Sequence, residues 1–528
     1  MLSALDRHEA RVAAAIHARR WWLVAALLAL YLAVTCAFAH YRPFWNDELF
    51  TVYIARLPAV SDVWAFLATG VEQIPPTFHL LTRLVVRLFG EHPLAVRLPS
   101  IVAMGGMAAC LYVVVSRRAG AAYGLVALLL PLVTQAHFYA YEARPYALVL
   151  AWSAVSLLCW QSAAAGDSRR LALVWLGVSL AAALCSHYYA VLSFLPLAAG
   201  ELWRTVQRRR LDLPIWIALA AATLPLLLFL PLLQAGRRLA ATFWARPRWN
   251  QMVAFYGDVF GPAAAPLLLI ILVMALYPLA RTRTPPPVPA EPSLPRHELI
   301  AAMVYLALPL VATVLAKLVT GAFTNRYALP AILGVALLVP WGADHLLDRR
   351  ATMGALLAAL LGGWFALMVG IFPVLELRRA SADHDGVYRF LATAAPGDLP
   401  VVVQSPHTFF QMTYYAPPAV ASRLLYLADP QAARRYVDTD TVELGLLEFG
   451  RWTPIHVEAY QPYLAARRRF FLYDDRAAYG WLSKALVADG ARFAVVALDG
   501  GTTLLLVDAG PLPAAGRESA PTPRRAAP

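Results

Sequence analysis

Apolar residues in this chain gather in long unbroken runs instead of alternating with polar ones. Runs of about 20 residues are the length a helix needs to cross a bilayer. Eleven such spans are predicted, at about 21–40, 97–116, 121–140, 145–163, 171–187, 188–203, 213–234, 263–280, 298–319, 327–343 and 351–373. Arg7, Arg11, Arg19 and Arg20 precede the first span. Cytoplasmic loops favour Arg and Lys, so the N-terminus is expected in the cytoplasm. Alternation from there puts the other basic clusters on the same side: Arg117/Arg118, Arg169/Arg170, Arg204 with Arg208, Arg209 and Arg210, Arg281/Arg283/Arg296, and Arg349/Arg350. The first span is too long for a cleavable signal and lacks a small-residue cleavage site. The segments left outside are about 41–96, 137–145, 187–189, 235–262, 321–327 and everything after about 375.

The first external loop is patterned. Leu49, Phe50, Tyr53, Ile54 and Leu57 recur at helical spacing. A second stretch opens with Pro75-Pro76, suited to a first helical turn. It puts Phe78, Leu81, Val85, Leu88 and Phe89 on one side and Arg83 and Arg87 on another. Neither run is long enough to span, so both are expected to lie in the outer interface. After about residue 375 the pattern changes to short strands and helices. Strands are predicted at Leu399–Gln404, Arg423–Leu427 and Arg469–Tyr473, a helix at Trp481–Asp489, and a hairpin of Phe493–Ala497 with Thr503–Val507 across Asp499-Gly500-Gly501. The fold class is therefore an α-helical polytopic membrane protein carrying a C-terminal external α/β domain. The domain boundaries fall at 1–375, 376–513 and 514–528, the last a disordered tail. A proline-rich linker follows Ala280.

Composition sharpens this. The chain has 528 residues, 60% hydrophobic and only 15% charged, where soluble domains carry about 25% charge. Disordered, collagenous and disulfide-rich classes are excluded. The net charge is +13, yet from Glu376 onward 16 basic residues balance 16 acidic ones, so all the excess lies in the membrane part. That points to lipid headgroups and phosphate-bearing ligands, not nucleic acid. Cys36, Cys110, Cys159 and Cys185 sit in apolar runs without a CxxC pair.

Charge near a membrane span is costly and defaults to function. Trp45-Asn46-Asp47-Glu48 follows the first span. Its acids could cap a helix, or Asp47 could act as a general base with Glu48 beside it. Tyr141-Glu142-Ala143-Arg144 lies in the next external turn, where Glu142 could pair with Arg144 or face the same cavity as Asp47. His187-Tyr188-Tyr189 could hydrogen-bond a phosphate or help Glu142 ligate a divalent ion. Arg326, beside Tyr327, either snorkels to headgroups or grips a pair of phosphate oxygens. Arg246 and Arg248, flanked by Trp244 and Trp249, suit anionic headgroups or sugar phosphates. A carboxylate base and a phosphate-binding arginine are what transfer from a lipid-linked sugar phosphate needs. The leaving phosphate calls for cationic stabilisation, and a single displacement then inverts the anomeric carbon.

At these residues the sequence resembles the C-type (GT-C) superfamily of membrane glycosyltransferases, bacterial members of the protein O-mannosyltransferase and lipid A aminoarabinose transferase group. The resemblance rests on FWNDE (Phe44–Glu48), EQIPPTFHLL (Glu72–Leu81), AVRLPS (Ala95–Ser100), YEARPYAL (Tyr141–Leu148), SHYYA (Ser186–Ala190) and NRYALP (Asn325–Pro330). It implies a polyprenyl-phosphate sugar donor, a hydroxyl acceptor on a glycolipid, glycan or protein, and work on the outer face of the bacterial inner membrane, as in lipopolysaccharide modification. By the same resemblance Asp47 is the catalytic base, with Glu48 and Glu142 as its acidic partners. Arg326, His187, Arg144 and Tyr327 hold the donor phosphate. Trp45, Pro75, Pro76, His79, Tyr141, Tyr188, Arg246 and Arg248 line the donor and acceptor groove. No cofactor is required, and a divalent metal has room at Glu142 and His187. The competing expectations are a transporter or flippase of lipid-linked glycans and a non-catalytic scaffold.

Overall fold

The computed structural model describes residues 4–239, 242–280, 294–381, 386–475, 480–499 and 501–510. Most of the proline-rich linker and the expected disordered tail fall outside these residues. The chain divides into two compact units: Met1–Ala241 with Ala245–Asp383, and Thr242–Trp244 with His384–Pro528.

In the first unit α1 (Ala4–Tyr41) leads into three short external helices, α2 (Asn46–Ala55), α3 (Val60–Leu67) and α4 (Thr77–Phe89). Then come α5 (Pro93–Leu129), α6 (Tyr146–Ala165), α7 (Arg169–Ser186) and α8 (Phe194–Arg208). They are followed by α9 (Leu213–Ala221), α10 (Pro225–Leu228), α11 (Leu230–Arg237), α12 (Gln251–Phe260) and α13 (Ala264–Ala280). The unit ends with α14 (Arg296–Leu306), α15 (Leu308–Leu315), α16 (Ala331–Leu346), α17 (Ala351–Trp364) and α18 (Phe372–Ser381).

Among the described residues six helices are long and apolar enough to cross a membrane, or eight if two bent pairs each count as one span. The protein is a multi-pass membrane protein. The difference from eleven has local causes. Gly120 sits at φ 77° and ψ 173°, splitting α5 into two runs that together count once. Such a backbone costs glycine little. α8 has 15 residues and α16 has 16, short of a span. The run expected at 121–140 ends early, because Leu130–Val133 and Gln135–Tyr141 form tight 3₁₀ turns. That irregular stretch carries Glu142 and Arg144.

α4 departs from the expected faces. Phe78 and Val85 are buried, but Leu84, Leu88 and Phe89 are exposed. Arg83 is only partly exposed; it donates to the carbonyls of Ala55 (3.2 Å), Leu57 and Pro58 (2.6 Å), fastening α4 to the end of α2. The outward Leu84/Leu88/Phe89 stripe keeps the character of an interface helix. Gly90, at φ 80°, ends it and donates to the Val86 carbonyl at 2.9 Å.

Several arginines counted as cytoplasmic charge are paired. Arg118 meets Glu298 at 2.5 Å, and Arg204 bonds Glu201 at 2.9 Å and Asp212 at 2.8 Å.

The second unit begins with α19 (Gly386–Ala394) and holds a six-stranded sheet in the order β3-β2-β1-β4-β6-β5. β1 (Val401–Val403), β2 (Leu424–Ala428), β3 (Val457–Ala459) and β4 (Arg469–Asp474) run parallel; β5 (Arg492–Asp499) and β6 (Thr502–Asp508) form the antiparallel hairpin. β3 was not expected, being only three residues long with two exposed. Val402, Leu425, Leu427, Phe470, Leu472 and Trp481 form its core. Within it Glu443 is buried, accepting from Tyr426 Oη (2.7 Å) and Trp481 Nε1 (2.9 Å). Those bonds satisfy the carboxyl as a structural bridge.

Candidate active site

The acidic pair after α1 is divided between two tasks. Glu48 is fully buried against fully buried Arg97, with two bonds of 2.7 Å, Nε to Oε1 and Nη2 to Oε2. Its oxygens also accept from the backbone N–H of Ala143 (2.8 Å) and of Trp45 (3.2 Å), the latter capping α2. Arg97 spends its other donors on the carbonyls of Ala39 (2.9 Å), Arg42 (2.7 Å) and Pro43 (3.1 Å). Glu48, expected among the catalytic acids, is therefore committed to Arg97 and to two backbone N–H groups. A carboxylate with a bidentate guanidinium and two N–H donors has no capacity left for a substrate. Arg97 stands in the quoted AVRLPS motif. An arginine opening an apolar span needs a buried partner, and that signal could have identified it.

Asp47, next in sequence to Glu48 but aimed elsewhere, forms a direct ion pair with Arg326. The two groups are 279 positions apart in the chain and largely buried. The Arg326 guanidinium lies 5.4 Å from the centroid of the Tyr146 ring, and its Nε is buried without a hydrogen-bond partner among the described residues. Burial disfavours its charge, but Tyr146, Asp47, Tyr327 and Glu142 outweigh that and hold it protonated.

Glu142 completes the acidic group. Trp45 donates its indole N–H to Glu142 Oε1 at 2.9 Å, while Oε2 is buried with no hydrogen-bond partner among the described residues. Burial, then the charges of Glu48 and Asp47, push its carboxyl up to about 7, against the pull of Arg326 and the Trp45 bond. The sign of the linkage follows. A carboxyl raised on folding favours the folded state while protonated, so its contribution is full below about pH 4.5 and is lost as pH rises through about 7. Thermal unfolding across pH 5–8 is expected to show the wild type losing stability relative to Glu142→Gln, by on the order of 3 kcal/mol. Parallel curves for the two proteins would contradict this environment.

Arg144 forks onto Glu72, at 3.1 and 3.2 Å, and Nη1 also reaches the Asp47 carbonyl at 3.2 Å. Glu72, quoted in a motif but given no role, is thus part of the site. Arg144 keeps only Nε without a partner, so it braces Asp47 through its backbone. His79 is buried beside this pair, near the backbone of Thr51. Burial lowers it to about 4, so it is neutral.

His187 ends α7 in extended conformation, and its Nδ1 accepts the Tyr189 N–H at 3.1 Å. Burial, with Arg144 and Arg326 nearby, lowers it to about 3. A neutral imidazole accepting at Nδ1 carries its proton on Nε2, which makes Nε2 a donor. Tyr327 stacks on Tyr189 at 4.4 Å and lies 5.1 Å from His187. Tyr146, His187, Tyr189, Arg326 and Tyr327 surround a pocket of about 10 Å³, room for one water.

The remaining expected residues divide. Pro75 and Pro76 are buried at the start of α4. Tyr188 is packed edge-on to Phe229, with its hydroxyl buried and unpartnered. Tyr141 turns to α1, stacking on Phe38 at 4.6 Å, and is a packing residue. Arg246 and Arg248 are exposed. Among the described residues no three His, Cys, Asp or Glu side chains are grouped to hold a metal. At His187, Nδ1 is committed to the backbone N–H of Tyr189.

Residues 73–234 match the family described as dolichyl-phosphate-mannose-protein mannosyltransferase. No curated protein matches the chain. Among solved structures, ArnT from Cupriavidus metallidurans in the apo state superposes with a TM-score of 0.58 at 14% identity, over 93% of this chain and 98% of that one. The same protein bound to undecaprenyl phosphate gives 0.56 at 13% identity, over 92% and 98%. At such identities the likeness is one of fold, and it covers both units. In sequence over residues 73–234 the chain resembles the dolichyl-phosphate-mannose-protein mannosyltransferase family, and in fold over 93% of its length it resembles ArnT.

Proposed function

We propose that the protein transfers a sugar from a polyprenyl-phosphate donor to a hydroxyl acceptor on the outer face of a bacterial inner membrane, its N-terminus in the cytoplasm. The observation that carries this reading is the meeting of Asp47 with Arg326, beside a Glu142 oxygen that has no hydrogen-bond partner among the described residues. A base and a phosphate-binding fork, brought together from opposite ends of the membrane unit, suit departure of a phosphate and entry of a hydroxyl. Undecaprenyl phosphate bound to the similarly folded ArnT supports a lipid phosphate as the donor's carrier.

The resting pair fits a sequence of events. The donor phosphate takes Arg326, with His187 Nε2–H as a second donor, and Asp47 is released. Asp47 then accepts the proton of the acceptor hydroxyl. The new bond forms from that oxygen to the anomeric carbon, and the bond from this carbon to the phosphate oxygen breaks on the opposite side, with inversion. The phosphate leaves as an anion stabilised by Arg326. Glu142, with one oxygen held by Trp45, offers the other to a hydroxyl of the sugar or acceptor.

Arg326→Lys tests the phosphate assignment, because lysine retains the charge but loses the planar fork. Donor KM is expected to rise roughly tenfold to a hundredfold, the worth of a charge-assisted bond. The assay is transfer from purified polyprenyl-phosphate sugars in proteoliposomes. An unchanged donor KM would move the phosphate elsewhere. Labelled lipid crossing the bilayer without any covalent product would replace the enzyme reading with a flippase.

A further inference from the structure

We infer that β5 is a docking edge for a second copy of this chain, pairing antiparallel with its own counterpart. β5 ends the sheet, bonded on one side to β6 and on the other to no strand among the described residues. It is eight residues long and reads Arg-Phe-Ala-Val-Val-Ala-Leu-Asp. Val495 is 64% exposed, Val496 40% and Leu498 69%. A long apolar edge is what folds normally blunt with inward charges, prolines or cover. Here the only charges stand at the two ends.

Those ends identify the occupant. Arg492 and Asp499 are both exposed, and antiparallel pairing of the strand with a copy of itself sets Arg492 against Asp499 of the second copy twice over. The same register opposes Phe493 to Leu498 and Ala494 to Ala497. An unbroken strand could not do this, because residues seven apart point to opposite faces. β5 is not unbroken. Its pairing with β6 shifts between Val495 and Ala497, leaving Val496 as the extra residue of a bulge. The bulge reverses the alternation beyond it. Arg492 and Asp499 therefore share a face, as their partners Asp508 and Thr502 on regular β6 do. The irregularity falls at the centre of the self-pairing, where a two-fold axis would pass. Such an isologous contact closes at two copies. The chain's own last residues make a poor alternative strand, since Pro511, Pro513, Pro521, Pro523 and Pro528 each lack an N–H.

The test uses the full chain in lipid nanodiscs or mild detergent. Ala494→Cys combined with Ala497→Cys is expected to give an oxidised covalent dimer, whereas each single cysteine variant gives none above the wild-type background. Arg492→Asp alone should lower the dimer fraction several-fold, and Arg492→Asp with Asp499→Arg should restore it. Equal crosslinking in single and double variants would mean random encounter and overturn the inference. So would a monomeric double-cysteine protein with unchanged thermal unfolding, or a charge swap that fails to restore pairing. None of these readouts depends on sugar transfer.

Discussion

Asp47→Asn should lower turnover by roughly a thousandfold while leaving the protein folded, the middle of the range for removing a general base. The substitution is nearly isosteric. The amide oxygen can still accept from Arg326, and the backbone carbonyl of Asp47 still meets Arg144 at 3.2 Å. What disappears is the capacity to take a proton from the acceptor hydroxyl. Donor binding is expected to hold or tighten, because Arg326 no longer has a carboxylate to be drawn from. The combination of lost kcat with undiminished donor affinity separates a base from a residue that merely shapes the pocket, which would weaken both. Donor affinity measured on the purified variant, together with single-turnover transfer, gives the two numbers. Full turnover in a well-folded Asp47→Asn protein would eliminate Asp47 as base and turn attention to Glu142.

Breaking the Glu48–Arg97 pair is expected to cost stability first and activity as a consequence. Removing one partner of a fully buried ion pair leaves the other charge uncompensated, at about 3–5 kcal/mol. Arg97→Met leaves Glu48 to its two backbone donors and strips three carbonyls, of Ala39, Arg42 and Pro43, of their donor. Those carbonyls belong to the exit of α1, so the turn that aims Asp47 should loosen. Arg97→Lys should fail similarly, since a single ammonium cannot reach five acceptors arranged around a planar fork. Thermal unfolding in detergent reads the effect directly. The double variant Glu48→Gln/Arg97→Met should recover part of the loss, because it leaves no buried charge. A stable Arg97→Met with normal transfer would show that the pair is dispensable.

The membrane part was legible because bilayer thickness imposes a length on apolar runs, and that constraint survives without any knowledge of packing. Where the reading departed, local backbone was the reason. The break at Gly120 falls between the spans expected at 97–116 and 121–140, but the 3₁₀ turns before Glu142 look apolar enough to continue a span. Within the acidic pair, Asp47 and Glu48 could be recognised as important but not told apart, because adjacent helix residues point about 100° from one another and only the fold decides which faces Arg97. Arg144 illustrates the same limit. The resemblance assigned it to the donor phosphate, yet Glu72, some seventy positions earlier, meets both ends of its fork. Arg118 and Arg204 served the orientation argument as free positive charges, although each is bonded to a carboxylate. In the second unit, strands with buried apolar runs were evident, while β3 is too short to leave a period.

The pocket bounded by His187, Tyr327 and Arg326 has a consequence for inhibitor discovery. With space for a single water and its guanidinium already engaged, it offers neutral fragments nothing to fill, and a screen against the ligand-free protein would judge it unpromising. A competitor has to arrive with an anionic head able to pull the arginine away from its carboxylate, and to make its own cavity as it enters.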